Sequence, residues 1–290
     1  MFAGNRSSAS GDRRSSFLLG LVVLLSLLLL ISWIKSSSWD GGVAVTNLGK
    51  TAEDQVQRSP LSSSEQLEFE EEEARKERFW KIFKRGWDEF EQKNFSEKLL
   101  ASGGGSMPSK TTLIRDCLPR IINEYGITSI LDLPCGDFGW MFQVLLHPSV
   151  ELKQYTGVDI VADLVEYHQS HRKLRDGTPF RPEWEFLNVD GVKEVPPQRD
   201  LVFTRDLLQH LSPGDITKLI GNLNASGAKY WIVSNFPEVK NSYRRGRDGS
   251  WDTHLVNLFA EPYSFPPSID ECPDTDGKRM HLFKLPIPGF

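Results

Sequence analysis

The chain is poor in cysteine and carries no excess of basic residues, and both features narrow what it can be. Only three of its 290 residues are cysteines, too few for a disulfide framework and without the paired spacing of a metal cluster. Its 39 acidic residues outnumber the 34 lysines and arginines, so the basic face of a nucleic-acid-binding protein is not indicated. No H-E-x-x-H or EF-hand pattern occurs. We therefore expect neither a resident metal nor a nucleic-acid partner.

The three cysteines are Cys117, Cys135 and Cys272, which allow at most one intramolecular pair. Cys135 lies in a glycine-containing turn after an apolar run, where we expect a free thiol. Cys117 and Cys272 either join in an oxidising compartment or stay reduced. Both outcomes remain open, because cysteine pairing cannot be read from a sequence.

One long apolar run stands near the N-terminus. Residues 17–34 are apolar except for one glycine and two serines, and a run of roughly 20 residues spans a bilayer. Three arginines precede this run and only two lysines follow within reach, a bias that favours a cytoplasmic N-terminus. We predict a type II single-pass signal anchor at 17–34 behind a cytoplasmic tail at 1–16. A cleaved signal peptide is the alternative.

Composition changes twice after the apolar run. Residues 35–64 are rich in serine and glycine without an apolar period, which is typical of a flexible stem. Within 65–100, aromatic residues recur every three or four positions, at Phe79, Phe83, Trp87 and Phe90. This spacing predicts an amphipathic helix that packs on the following domain. A helix that binds a membrane surface or a partner is the alternative.

Two short triplets bear on topology. Asn94 and Asn224 each begin an N-glycosylation acceptor sequence. With a cytoplasmic N-terminus both triplets would face the lumen. They therefore agree with the anchor prediction without establishing it.

Beyond residue 101, short apolar runs alternate with helical patterns up to residue 290. Five runs are predicted strands, at 127–132, 155–160, 184–190, 200–204 and 229–234. Helices are predicted at 109–125, with a kink or break at Pro119, and at 138–146, 161–174 and 213–226. The alternation predicts an α/β, Rossmann-like doubly wound sheet, mostly parallel, over 101–290. The last apolar stretch, 280–287, is a predicted final strand.

The most informative stretch follows the first predicted strand. Asp132 closes that strand, and Gly136 lies in a tight turn where the absence of a Cβ lets the backbone approach a ligand. In doubly wound sheets this turn is where a nucleotide-type ligand binds. The glycines of the dinucleotide pattern G-x-G-x-x-G are mostly missing. Asp159 closes the second strand, where a carboxylate can accept from both ribose hydroxyls; capping the next helix is its alternative role.

Several spaced motifs together carry a resemblance. They are L-D-L-P-C-G-D-F-G-W-M at 131–141, G-V-D-I-V at 157–161, R-D-L-L-Q-H-L-S at 205–212 and an aromatic and proline segment at 251–266. The chain resembles class I S-adenosylmethionine-dependent methyltransferases, in a branch with a D-x-P-C-G-D-F first motif. The resemblance covers about residues 102–288 and implies the cofactor S-adenosyl-L-methionine and an antiparallel final strand beside the fifth. Pro134 and Phe138 stand where the common pattern has glycines.

The resemblance implies cofactor-binding roles at the strand ends. Asp132 and Gly136 would flank the methionine end of the cofactor, Asp159 would bind the ribose, and Asp190 would lie beside the adenine amino group. Neighbours in the same motifs complete the predicted cofactor contacts: Pro134, Cys135, Ile160 and Arg205. The glycine- and serine-rich loop at 102–106 either covers the cofactor or is a plain linker.

Residues just after the fourth and fifth strands are candidates for the chemistry. We predict His210 as a base, because an imidazole titrates near neutral pH; packing below the site is the alternative. Asp206 would hold the cofactor's amino group or orient His210. The predicted acceptor-binding residues are Asn235, Arg244, Arg245, Trp251 and His254. Aromatic rings and arginines suit a sugar, carboxylate or phosphate, although a solvated arginine loop is equally open.

These expectations combine into one hypothesis and two rivals. The hypothesis is O-methylation of a glycan or other sugar-containing acceptor, or of a small molecule, in the lumen of the secretory pathway, with the Golgi favoured. One rival is an inactive cofactor-binding domain that serves as a membrane-tethered partner of glycosyltransferases. The other is a methyltransferase of small molecules or proteins that faces the cytosol.

Overall fold

A mixed sheet forms the centre of the part of the chain that the structure describes. The structure is a computed structural model that describes residues 62–92, 102–174, 176–245 and 253–290, with side chains described only to residue 84 in the first stretch. The strands are β1 (Ser129–Asp132), β2 (Gln154–Asp159), β3 (Trp184–Asn188), β4 (Leu201–Thr204), β5 (Tyr230–Asn235), β6 (Asp270–Pro273) and β7 (Arg279–Lys284). Their order is β3-β2-β1-β4-β5-β7-β6.

Strand direction matches the prediction for this sheet. β1 to β5 pair in parallel, whereas β7 runs antiparallel to both β5 and β6. The predicted antiparallel final strand beside the fifth is therefore confirmed. β6 was missed by the sequence reading, since it is a four-residue edge strand that ends in a proline.

Helices cover both faces of the sheet. They are α1 (Ser63–Gln92), α2 (Pro108–Glu124), α3 (Met141–Leu145), α4 (Ala162–His171) and α5 (Pro213–Ala225), with 3₁₀ turns at Gly104–Ser106 and Leu208–His210. α5 starts as its sequence predicts: Ser212 Oγ accepts from the N–H of Asp215 at 3.0 Å, and a proline occupies the first turn.

The core alternates between the two faces with the period of a strand. Ile130 and Phe203 pack with α2 and α3 on one face. Their neighbours Leu131 and Val202 pack with α5 on the other. Because both faces are covered, the central strands are apolar throughout, and this produced the short apolar runs in the sequence.

α1 packs on the sheet domain, as its aromatic stripe predicts. Phe79 and Phe83 lie against Val161 and Leu164 at the start of α4. Pro60–Phe290 form one compact unit. The predicted tail, anchor and stem lie outside the described residues, apart from the stem's last three positions. Among the residues described, no helix is both long and apolar enough to cross a bilayer.

Two helices differ from their predictions. Pro119 does not divide its helix, because α2 runs unbroken through it while Leu118, Pro119 and Ile122 are buried against the core. The helix begins at Pro108, one residue before the predicted start. The helix predicted at 138–146 is shorter, since Phe138 has φ 55° and cannot belong to a right-handed helix.

The structure argues against glycosylation at Asn224. Its Nδ2 donates to the carbonyls of Ile287 at 3.0 Å and Phe290 at 3.2 Å, and its Oδ1 accepts from the N–H of Ile287 at 2.7 Å. A glycan would replace one of the two N–H groups that hold the C-terminal segment. Asn94 lies outside the described residues.

One disulfide bond joins distant parts of the domain. Cys117 on α2 is bonded to Cys272 on β6, with 5.8 Å between their Cα atoms. Cys135 is a buried free thiol, as predicted. Of the two pairing outcomes that the sequence left open, the structure has the bridged one.

We expect the double variant Cys117→Ser/Cys272→Ser to lose about 2–4 kcal/mol in free energy of unfolding, because a long loop is no longer closed in the unfolded chain. Urea denaturation measures the loss. A reductant should cause the same loss of stability in the wild-type chain and should not change the stability of the variant. A wild-type midpoint that does not change on reduction would contradict the expectation.

Candidate functional site

The carboxyl ends of β1, β2 and β4 open into a cavity of about 390 Å³. In doubly wound sheets ligands bind at this edge. The cavity is lined by α1 (Phe79, Ile82, Phe83), the loop at 102–106, Asp132, the turn at 134–136, Trp140, Asp159, Val161, Leu164, Phe203, Arg205, Asp206, Gln209, His210 and Thr253. Eight of the ten predicted cofactor and catalytic residues are among them.

Asp132 is a buried carboxyl at the end of β1. It is 3% exposed, and its Oδ2 accepts from the hydroxyl of Tyr155 at 2.7 Å. Burial raises the pKa of Asp132 to about 8, although the Tyr155 hydrogen bond acts in the opposite direction. The group is therefore protonated near neutral pH until a positive charge enters the cavity.

Asp159 ties the turn after β1 to the end of β2. Its Oδ2 accepts from the N–H of Gly136 at 3.1 Å, and its Oδ1 accepts from the N–H of Val161 at 3.0 Å. Burial raises the pKa of Asp159 to about 6, while these backbone donors favour the charged form. Asp159 thus satisfies the N–H of Val161, the residue that precedes the helix Ala162–His171. A carboxylate has about four acceptor sites, so capacity remains for a ligand.

Gly136 is required by a close approach. Its φ is 53°, and a Cβ there would lie 2.2 Å from Ser102 Oγ. That hydroxyl accepts from the N–H of Asp137 at 2.6 Å. The loop at 102–106 therefore rests directly on the turn and forms part of the cavity wall, which favours the covering role over a plain linker.

An aromatic cluster explains why Phe138 replaces a glycine. Its ring contacts those of Tyr155, Phe180, Trp184 and Phe186, with centroids 5.1 to 5.5 Å apart. The side chain points into the core, and it does not line the cavity. The turn is therefore held from behind by packing. Pro134 and Cys135 line the cavity, and burial raises the pKa of the Cys135 thiol.

Two acids and two bases form a buried ion network beside the cavity. Arg205 Nε lies 2.8 Å from Asp274, and its Nη1 lies 3.1 Å from Asp206. Lys278 Nζ donates to both carboxylate oxygens of Asp206 at 2.7 Å. Sequence reasoning missed Asp274 and Lys278, which come from the turn between β6 and β7, and no local pattern marks them.

The network also holds the glycine loop. Arg205 Nη1 donates to the carbonyl of Gly105 at 2.8 Å, and a Cβ on Gly105 would lie 2.5 Å from Asp206 Oδ2. Asp206 has φ 57°, a backbone conformation that costs free energy and is concentrated at functional sites. Asp206 is thus fixed by its cations and by the loop.

His210 lines the cavity beyond Asp206. Burial, aided by the charge of Arg78, lowers the pKa of His210 to about 4, so the imidazole is neutral at pH 7. Its Nδ1 lies 3.5 Å from the hydroxyl of Thr253, and its backbone carbonyl accepts from Arg78 Nη1 at 2.9 Å. His210 faces the cavity, so it does not merely pack below it.

Asp190 and Ile160 do not line this cavity. They border a neighbouring cleft of about 30 Å³. Asp190 accepts from Arg75 Nη2 at 2.7 Å and from the N–H of Val192 at 3.0 Å, so both of its oxygens are engaged. The position predicted to lie beside adenine is occupied here by an arginine of α1.

The predicted acceptor residues are spread around the domain. Asn235 is fully buried, and its Oδ1 accepts from the N–H of Leu258 at 2.7 Å. Arg244 and Arg245 are exposed, and Arg245 lies 3.6 Å from Glu71 of α1. His254 is buried edge-on against a tyrosine ring. None of these four lines the cavity, and Trp251 lies outside the described residues.

Comparisons with known proteins give weak similarities. No protein-family model and no curated protein matches the chain. The methyltransferase domain of bacterial CtHen1 matches at 17% identity with a TM-score of 0.45, covering 61% of this chain and all of that one. Human N-acetylserotonin methyltransferase in complex with SAM matches at 12% identity with a TM-score of 0.41, covering 72% of this chain and 66% of that one. A DhpI–SAM–HEP complex matches at 14% identity with a TM-score of 0.43, covering 63% of this chain and 89% of that one. Similarities this low carry no argument about activity or ligand.

We expect Asp132→Asn to change how stability depends on pH. Between about pH 4 and pH 8 the native chain keeps a proton that the unfolded chain has released, so the wild-type free energy of unfolding falls as pH rises. In the variant, the free energy of unfolding should fall less steeply with pH than in the wild type, by about 1.4 kcal/mol per pH unit. Urea denaturation across this range measures it, with exposed Glu166→Gln as the control for losing one carboxyl. Parallel wild-type and Asp132→Asn profiles would contradict it.

Proposed function

We propose that the chain is an S-adenosylmethionine-dependent methyltransferase whose cofactor binds in the cavity at the ends of β1, β2 and β4. The observation that carries the proposal is the convergence of Asp132, Gly136 and Asp159 on that single cavity. Strand order, the antiparallel β7 and the resemblance of the first motif agree with it.

The residues present fit this cofactor. Asp159 retains acceptor capacity at the end of β2, where a ribose diol would hydrogen-bond to it. Asp132 lies beside the turn and would gain a favourable charge interaction from the cationic methionine end. When bound, the cofactor supplies an electrophilic methyl group. The protein's part is to hold an acceptor oxygen in line with it.

His210 and Asp206 have different roles in this proposal. The imidazole of His210 is neutral at pH 7 and can accept a hydrogen bond from an acceptor hydroxyl. Because its pKa is lowered to about 4, it is a weak base, so its proposed contribution is to orient the hydroxyl more than to remove the proton. The oxygens of Asp206 are engaged by Lys278 and Arg205. That arrangement suits a group that positions the cofactor's amino end through the surrounding network.

For the acceptor we propose a glycan or another sugar-containing molecule in the lumen of the secretory pathway, with the chain held by a type II anchor. The Cys117–Cys272 bond supports an oxidising compartment and disfavours the cytosol-facing rival. Glycosyltransferases remain proposed partners, and the apolar run at 17–34 supports a membrane site such as the Golgi.

Calorimetry with S-adenosylmethionine and S-adenosylhomocysteine tests the cofactor. The full-length chain should bind both, and Asp159→Asn should bind each at least about tenfold more weakly, since a charge-assisted hydrogen bond is worth roughly 1.5–3 kcal/mol. Glu166→Gln, exposed on α4, is the charge-matched control. A folded wild-type chain that binds neither ligand would contradict the enzyme proposal.

Transfer of a labelled methyl group to membrane glycan fractions tests the acceptor. Label should enter a glycan fraction, and His210→Asn should lower the rate without weakening cofactor binding. Retained binding with no transfer to any glycan pool, unchanged in His210→Asn, would favour the inactive-partner rival.

A further inference from the structure

We infer that helix α1 is part of the cofactor site: Phe79 and Phe83 form the wall beside the adenosine, and Arg75 is the positioning residue that holds this wall in place. This inference rests on the proposed function and deepens it. It gives the segment that follows the predicted stem a role in binding, whereas the sequence suggested only a helix packed on the domain.

The cavity wall that α1 forms is apolar and lies on the same side of the cavity as Asp159. Phe79 and Phe83 line the cavity together with Val161 and Leu164, against which they pack. Val161 and Leu164 lie two and five positions after Asp159 in the chain, so a nucleoside whose ribose lies on Asp159 would place its base against the apolar surface that these residues and the two phenylalanines form together. Flat apolar rings on a concave surface suit a purine.

Arg75 fastens α1 to the sheet domain from outside the cavity. Its guanidinium lies 2.7 Å from Asp190 and 3.1 Å from Asp215, and the side chain of Arg75 is 8% exposed. Removing one partner of a buried ion network leaves the remaining charges buried without compensation, so loss of Arg75 should strongly weaken the contact between α1 and the sheet domain. Arg75 does not line the cavity, so it acts on a ligand only through α1.

Other contacts continue from this attachment to the candidate base. Arg78 donates to the carbonyl of His210 at 2.9 Å, and the Phe79 ring lies edge-on to the His210 ring at 6.0 Å. Trp80 Nε1 donates to Asp163 of α4 at 3.3 Å. The same helix therefore touches the adenosine side and the acceptor side of the cavity.

The hydrogen bonds that Asp190 already makes give independent support for a role of α1 in the cofactor site. The cleft beside it measures about 30 Å³, which holds about one water molecule and is far too small for a purine. With Arg75 and the N–H of Val192 on its oxygens, Asp190 anchors α1. In this arrangement the aromatic wall takes over the recognition of adenine that the sequence assigned to Asp190.

The test uses the full-length chain and three ligands: S-adenosylmethionine, S-adenosylhomocysteine and methylthioadenosine. Phe83→Leu keeps apolar volume but removes the flat ring, and should weaken all three by about tenfold. Arg75→Met should weaken all three by a similar factor, and Arg75→Lys should recover part of the loss. Glu77→Gln, on the exposed face of α1, is the matched control and should stay within about twofold of wild type.

Hydrogen exchange separates a binding role from a merely structural one. Amides of α1 between residues 75 and 84 should become protected when S-adenosylhomocysteine binds the wild-type chain, and this protection should shrink in Arg75→Met. Unchanged affinities in Phe83→Leu and Arg75→Met, without protection of α1, would overturn the inference and leave the proposed function standing. Tighter binding by Arg75→Met would also overturn it, because α1 would then obstruct the cavity. A wild-type chain that binds none of the ligands would contradict the proposed function itself.

Discussion

The hydrogen bond from the N–H of Gly136 to the carboxylate of Asp159 joins the ends of two neighbouring strands at the wall of the cavity. The rest of the site depends on it. It fixes the turn against which the loop at 102–106 rests, and it helps to keep a buried carboxylate satisfied. Asp132 is held in a comparable way by Tyr155 from the next strand. Two buried acids can therefore face one cavity without disrupting the fold.

The opposite wall is built from charges that compensate each other. Asp206 keeps an unfavourable backbone conformation because Lys278 and Arg205 bind its side chain and the loop covers it. Such networks are rigid when every member has a partner. The site thus combines a rigid charged wall with an apolar wall from α1, and this combination suits a ligand that is charged at one end and aromatic at the other.

Much of this arrangement could be predicted from the sequence, and the remainder has a common physical reason. Short apolar runs located the parallel strands. Asp132 and Asp159 each end one of these runs, and the carboxyl ends of parallel strands meet at one edge of the sheet, so both acids were expected at that edge. Asp274 and Lys278 could not be found, because they reach the site from a turn late in the chain. The resemblance implied that Asp190 lies beside adenine. Its partner in the structure, Arg75, lies 115 residues earlier, and no local pattern reports a contact of that separation.

We propose that the cavity at the ends of β1, β2 and β4 binds the nucleoside cofactor. The most direct measurement is a crystal structure of the chain grown with saturating S-adenosylhomocysteine. We expect the ribose hydroxyls to lie within hydrogen-bond distance of Asp159, and the amino acid end of the ligand to lie between Asp132 and the loop at 102–106. Ligand bound elsewhere, or a cavity that stays empty at saturation, would contradict it.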